Sequence, residues 1–276
     1  MDLLTLAFVQ RALIAAALVG ISSPTIGTYI VQRKLSLLGD GLGHVAIAGV
    51  GLALMTGTAP LPWAVAICVV GAVLIETLRQ KGRATGDIGL AVLFYGGLAA
   101  GGLMASVAGQ GAGGLSSYLF GSLNTVSVSD LVVVAVLSIV IVVIAVGLSP
   151  QLFAVCADEG FAKTLGLPVR LYNYLIVVLA AVTVTTAMRT VGLLLVSALM
   201  VIPVAAAQNV FHGFWKGLWG AMAIGLVASV GGYLASIVAS LSPGAMIVLI
   251  TIGFFVISWP IAALLHRRTG LREGQP

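Results

Sequence analysis

Apolar residues run through this chain in long blocks, separated by short polar or glycine-rich links. About nine blocks lie near 9–31, 36–57, 60–78, 88–108, 129–149, 171–188, 190–208, 216–239 and 243–265, each close to the roughly 17–25 residues that cross a bilayer as a helix. Hydrocarbon offers no partner to backbone N–H and C=O groups, so helices that satisfy their own are the expected form. The pattern predicts an all-α, polytopic transmembrane helical bundle of about 8–9 spans. It occupies 1–276 as a single domain. The blocks 171–188 and 190–208 are parted only by Arg189-Thr190, so one of them is expected to be short or broken.

Composition strengthens this reading and narrows the partners. The chain is 60% hydrophobic and 8% charged, with mean hydropathy +1.18, whereas soluble domains carry roughly a quarter charged residues. The net charge of +5 need not mean nucleic acid. With the N-terminus outside and nine crossings, Arg33, Lys34, Arg79, Lys81, Arg83, Lys163, Arg170, Lys216, Arg267, Arg268 and Arg272 fall inside. Arg11 and Arg189 alone of the 13 cations fall outside or at span ends. That asymmetry is typical of cytoplasmic loops and places the C-terminal tail, about 266–276, in the cytoplasm. Cys68 sits in an apolar block and Cys156 in a polar link, so neither a disulfide nor a cysteine metal site is indicated. Met1-Asp2-Leu3-Leu4 lacks the basic start of a secretory signal, so the first block is expected to remain as a helix.

The links differ in character. Segment 156–168 is the longest polar stretch between blocks, with Asp158 and Glu159 first, Lys163 a turn later and Gly166-Leu167-Pro168 at its end. Acids early, a cation late and Gly/Pro at the stop predict a short helix with Phe161 and Leu165 on one apolar edge. It is either a solvated connection or a docking element for a cytoplasmic partner. Gly109–Gly114 is glycine-rich, but no Gly-Lys-Ser/Thr follows it, so it reads as a flexible connection. Segment 115–121 is too short to span and is expected to be re-entrant or interfacial. Ser229, Gly231, Gly232, Ala235, Ser236 and Ala239 predict close helix approach, while Pro203 and Pro243-Gly244 predict kinks or ends.

Few positions can carry chemistry. Of the 8 acids, Asp2 and Glu273 are terminal, Asp158 and Glu159 lie in the inner segment, and Asp130 starts a span. Glu76 and Asp87 flank the basic inner link 80–87. Asp40 alone lies well inside a block, and His44 is the only one of the 3 histidines that does. Residues i and i+4 share a helix face. Counted from Lys34 at about 1.5 Å per residue, His44 lies roughly 15 Å deep, near the middle of a core about 30 Å thick. An acid and an imidazole there are costly. They form a ligand or proton-relay pair, or they bond to each other and fix a helix contact. Carboxylate and neutral imidazole suit Zn²⁺, Mn²⁺ or Fe²⁺ better than Cu⁺. Two donors hold a divalent ion poorly, whereas a two-fold dimer would supply four. Gly39 and Gly43 either pack the helix closely or let it unwind beside the pair. Glu76, Asp87 and Arg189 are secondary polar candidates. No Walker motif, His-Glu-x-x-His or Gly-x-Ser-x-Gly is present, so the chain is not expected to be an enzyme.

Arg33-Lys34-Leu35-Ser36-Leu37-Leu38-Gly39-Asp40 with His44, then Tyr118-Leu119-Phe120-Gly121, then Val191-Gly192-Leu193-Leu194-Leu195 through Ile202-Pro203 form a specific set. Over almost its whole length the chain resembles the membrane permease subunits of bacterial ABC importers for zinc, manganese and iron. The resemblance implies a homodimer in the bacterial inner membrane, two cytoplasmic ATPase subunits that bind the ATP, and an extracytoplasmic metal-binding protein. No intrinsic cofactor and no nucleic-acid partner are expected. Segment 156–168 then looks like a coupling helix, with Asp158, Glu159, Gly160, Lys163 and Gly166 at the ATPase. Asp40 and His44 match the acid and histidine of the family's metal path. Where some zinc-uptake members carry a further histidine, eight positions after the acid matching Asp87, this chain has Tyr95. The expected function is the permease of an ATP-driven divalent metal importer, zinc or manganese first. The alternatives are a proton-coupled secondary transporter using the same pair, and an ABC permease for a metal chelate such as a siderophore or cobalamin.

Overall fold

The apolar blocks form helices in a computed structural model that describes residues 6–82, 86–109, 121 and 127–270. In chain order they are α1 (Ala7–Gln32), α2 (Leu38–Thr56), α3 (Pro60–Gln80), α4 (Gly86–Val107), α5 (Val128–Gly147), α6 (Ser149–Ala157), α7 (Glu159–Thr164), α8 (Val169–Val191), α9 (Leu193–Val210), α10 (Phe214–Ala239) and α11 (Pro243–Gly270). Among the described residues, 8 helices are long and apolar enough to cross a membrane: α1 to α5, α8, α10 and α11. The α9 segment is the short one, with an apolar part at Leu195–Val210. The glycine link 110–114, most of segment 115–121 and the end of the tail, 271–276, lie outside the described residues, as do the side chains of Asp87 and Arg189.

Local chemistry sets the ends. The Ser127 side chain accepts from the Asp130 N–H, and the Asp130 carboxylate accepts from the Ser127 N–H, a capping box that starts α5. Asp130 is thereby engaged in structure. The end of α1 is a Schellman turn, in which Leu35 N–H reaches the Ile30 carbonyl and Lys34 N–H the Val31 carbonyl. Lys34 occupies its left-handed position at φ 58°.

Two expectations about boundaries are corrected. The pause between the sixth and seventh blocks was expected at Arg189-Thr190, yet α8 runs through both and stops at Gly192, φ 98° and ψ 150°. A charge can sit in the last turn of a helix, but only glycine adopts that backbone readily. Segment 156–168 is also not one helix. Residues 156–157 finish α6, Asp158 caps α7, and Gly166 at φ 76° follows its end. The apolar pattern gives no sign of α6, because this helix continues almost directly from α5 after a break at Leu148.

The α1 and α2 helices lie at the centre, with 72% and 78% of their apolar windows buried, whereas α5 and α11 bury 22% and 17% and present apolar side chains outward. This is the layering expected of a bundle whose outer ring meets lipid. Exposed Trp215, Trp219 and Trp259 add amphipathic rings to that ring. Tyr29 of α1 donates to the Ala145 carbonyl at 2.6 Å, tying α1 to α5. The small residues act as expected at two positions: Ser229 meets Gly20 of α1, and Gly232 meets Ile247 of α11, each too close for a Cβ on the glycine. Gly231 faces open space and plays no such part.

Candidate functional site

The turn after α1 delivers α2 with Asp40 in its first turn and His44 one turn further on. An acid there is favoured by the positive end of the helix dipole. Because 34–37 is turn and not helix, the rise counts from Leu38, which puts Asp40 about 3 Å and His44 about 9 Å along the helix. The helix is continuous through Gly39 and Gly43; at Gly43 the Leu193 side chain packs too close for a Cβ, whereas Gly39 has room for one.

Asp40 and His44 share a face, but not through a carboxylate–imidazole bond. His44 Nδ1 lies 2.8 Å from the Asp40 backbone carbonyl. A carbonyl oxygen only accepts, so Nδ1 is the donor, and in the neutral imidazole Nε2 is the nitrogen with the lone pair. The Asp40 carboxylate is left for another use. His44 is 5% exposed, with its ring 3.8 Å from that of Phe94, centroid to centroid. A Cβ on Gly97 would sit 2.6 Å from the His44 carbonyl, so this glycine lets α4 press against the His44 backbone. Asp40 lines a cavity of about 260 Å³ together with Leu37, Gly41, Leu90, Ala91, Phe94 and Tyr95. Tyr95 is 69% exposed beside it. Among the described residues, no group of three or more His, Cys, Asp or Glu comes together. Asp40 lines the cavity, and His44, one turn on, is not among its lining residues.

A second cluster joins residues that the sequence scattered. Glu76, near the end of α3, is 1% exposed. Arg79 donates to its two oxygens at 2.8 and 2.9 Å, and Gln80 donates at 2.9 Å. Arg33, the residue capping α1, lies 3.7 Å from Glu76 and 3.5 Å from Glu159 of α7. Arg79 also lies 3.5 Å from Glu159, and Asn173 of α8 donates to Glu159 at 3.0 Å. Burial, with Arg79 beside it, pulls the Arg33 guanidinium below its ordinary range, against the pull of Glu76 and Glu159. The i,i+3 spacing of Glu76 and Arg79 is local in the sequence; Arg33 stands out there only as an inner-side cation at the head of the Asp40 stretch, and Asn173 does not stand out.

The α7 residues divide by direction. Asp158 accepts from the Gly160 and Phe161 N–H groups at 2.7 and 3.0 Å, which holds the first turn. Glu159, its side chain still 42% exposed, reaches back to Arg33, Arg79 and Asn173. Phe161 and Leu165, 59% and 58% exposed, remain as an outward apolar edge with Lys163 in the last turn. Gly166 supplies the left-handed exit. Asp158, Glu159, Gly160, Lys163 and Gly166 thus share one short element with different tasks.

Residues 5–262 match the ABC 3 transport family. The manganese transport system membrane protein MntC of Halalkalibacterium halodurans is 31% identical over 94% of this chain and 88% of that protein. A probable iron transport system membrane protein of Haemophilus influenzae is 30% identical, covering 91% of this chain and 92% of its own. Among solved structures, PsaBC from Streptococcus pneumoniae in complex with Fab is similar at a TM-score of 0.85 and 29% identity, over 96% of this chain and 97% of that one.

Proposed function

The chain belongs to the ABC 3 transport family, and we propose from that premise that it is the permease of an ATP-driven importer of manganese or a similar divalent ion. The carrying observation is the α2 pair: a carboxylate on a cavity and, one turn on, an imidazole whose ring is oriented by its Nδ1 bond so that Nε2 is the nitrogen left for a ligand in the neutral form. Carboxylate and neutral imidazole suit both manganese and zinc. Relatives named for manganese transport favour manganese, beside one named for iron. The permease hydrolyses no ATP; separate ATPase subunits do so, docking on the Phe161–Leu165 edge of α7. An extracytoplasmic metal-binding protein supplies the ion. Two copies form the path, because one chain brings only two donors and a two-fold axis doubles them. The exposed apolar face of α4 beside the Asp40 cavity suits such a neighbour.

The test is uptake of radiolabelled manganese by the permease–ATPase complex in proteoliposomes. Asp40→Asn and His44→Ala should each lose uptake while the ATPase stays bound. Normal uptake by both variants would remove the pair from the path. Uptake that needs no ATP and collapses with the proton gradient would favour a proton relay on the same residues.

A further inference from the structure

The cluster around the buried Arg33 joins a buried acid and a part-exposed one, and its geometry is unequal. Glu76 is fixed by three short hydrogen bonds from its own helix, α3. Glu159 stands on α7, the six-residue helix with the outward apolar edge. Arg33 lies between them. Its side chain is 4% exposed, it reaches Glu76 at 3.7 Å and Glu159 at 3.5 Å, and neither terminal nitrogen makes a hydrogen bond. A buried guanidinium normally forms short, paired bonds. Here one cation is shared at near-equal, long distances between a fixed acid and an acid on a peripheral helix. A small shift of α7 would let Arg33 close on one acid and leave the other.

What Arg33 carries with it makes the shift consequential. It caps α1, and the tight turn Arg33-Lys34-Leu35 leads within a few residues to Leu38, where the Asp40 helix begins. Three backbone bonds hold that turn, so displacement of Arg33 moves the start of α2 and does not dissipate in a loose loop. Asn173 and the Thr77–Tyr174 bond at 2.9 Å brace α8 against the same corner.

We propose that Arg33 is the positioning residue that transmits the placement of α7 to Asp40 and His44, by exchanging between Glu159 on α7 and Glu76 on α3. This rests on the reading of α7 as the ATPase docking element. A binding event on Phe161 and Leu165 would thus move the metal pair through an ion-pair exchange, a two-position contact of the kind that couples distant sites. Arg33 touches no metal and is not a ligand.

The experiment uses the complete permease–ATPase complex in proteoliposomes, with manganese as the ion. Arg33→Gln leaves Glu76 with Arg79 and Gln80. The complex should keep its ATPase subunits and hydrolyse ATP, while ions moved per ATP fall about tenfold, within the usual range of coupling between sites. Arg33→Lys, which restores a charge able to pair with either acid, should recover most of the ratio. A wild-type ratio in Arg33→Gln overturns the proposal. So does a loss of uptake in strict proportion to assembled complex, unrescued by Arg33→Lys, since that marks a merely structural role. Phe161→Asp tests the underlying reading separately: it should release the ATPase subunits, and their retention would refute the docking surface whatever Arg33 does.

Discussion

Replacing Glu76 by leucine separates the worth of a buried charge from the worth of its pair. Glu76 accepts three hydrogen bonds and faces Arg33 at 3.7 Å. After Glu76→Leu, Arg79 can turn toward water, since its side chain is already 30% exposed. Arg33, at 4%, cannot follow and keeps only Glu159 at 3.5 Å. Removing one partner of a buried pair costs about 3–5 kcal/mol, and the remaining acid puts this site near the lower end, about 3 kcal/mol. At roughly 2–4 °C per kcal/mol for a chain near this size, the apparent melting point should fall by about 6–12 °C. The assay is monodisperse protein surviving a heat step in detergent, read by size-exclusion chromatography. The double variant Arg33→Leu/Glu76→Leu removes both charges and should recover most of the loss, because apolar replacement of a whole buried pair is often neutral. A single-variant loss under about 1 kcal/mol, the size of an ordinary substitution, would refute the reasoning. So would a double variant whose loss equals the sum of the two singles.

Three further outcomes are expected. Gly97→Ala places a methyl 2.6 Å from the His44 carbonyl and must push α4 off α2, costing about 1–3 kcal/mol and most manganese uptake, while Gly102→Ala, which meets open space, should keep both. Ser127→Ala breaks the capping box of α5 and should cost about 1 kcal/mol in the same heat-step assay. Asp158→Ala removes both acceptor contacts at the start of α7, a loss of about 1 kcal/mol that frays a helix of 6 residues; faster proteolysis between Ala157 and Gly166 would report it.

The α2 pair is legible in the sequence because charge in an apolar run is rare and i,i+4 spacing needs no fold to interpret. Its chemistry is not. Whether His44 bonds the Asp40 side chain or backbone decides which ring nitrogen is available, and that depends on a helix starting at Leu38. Glu76 stands out in the sequence beside an inner link marked by Arg79 and Gln80, but its burial does not, because that is set by Arg33 and by the packing of α8 against α3.

Sequence alone determined the helical class, most of the spans and the character of the inner segment, because hydrophobic length, capping chemistry and Gly/Pro punctuation act over a few residues. It also singled out Asp40 and His44. Tertiary structure decided that the chain breaks at Gly192, that Glu159 reaches Arg33 while Phe161 and Leu165 face out, and that Arg33 stands between two acids from separate helices. Those features depend on which helix faces which, a relation between residues as far apart as Arg33 and Glu159 that no local pattern encodes.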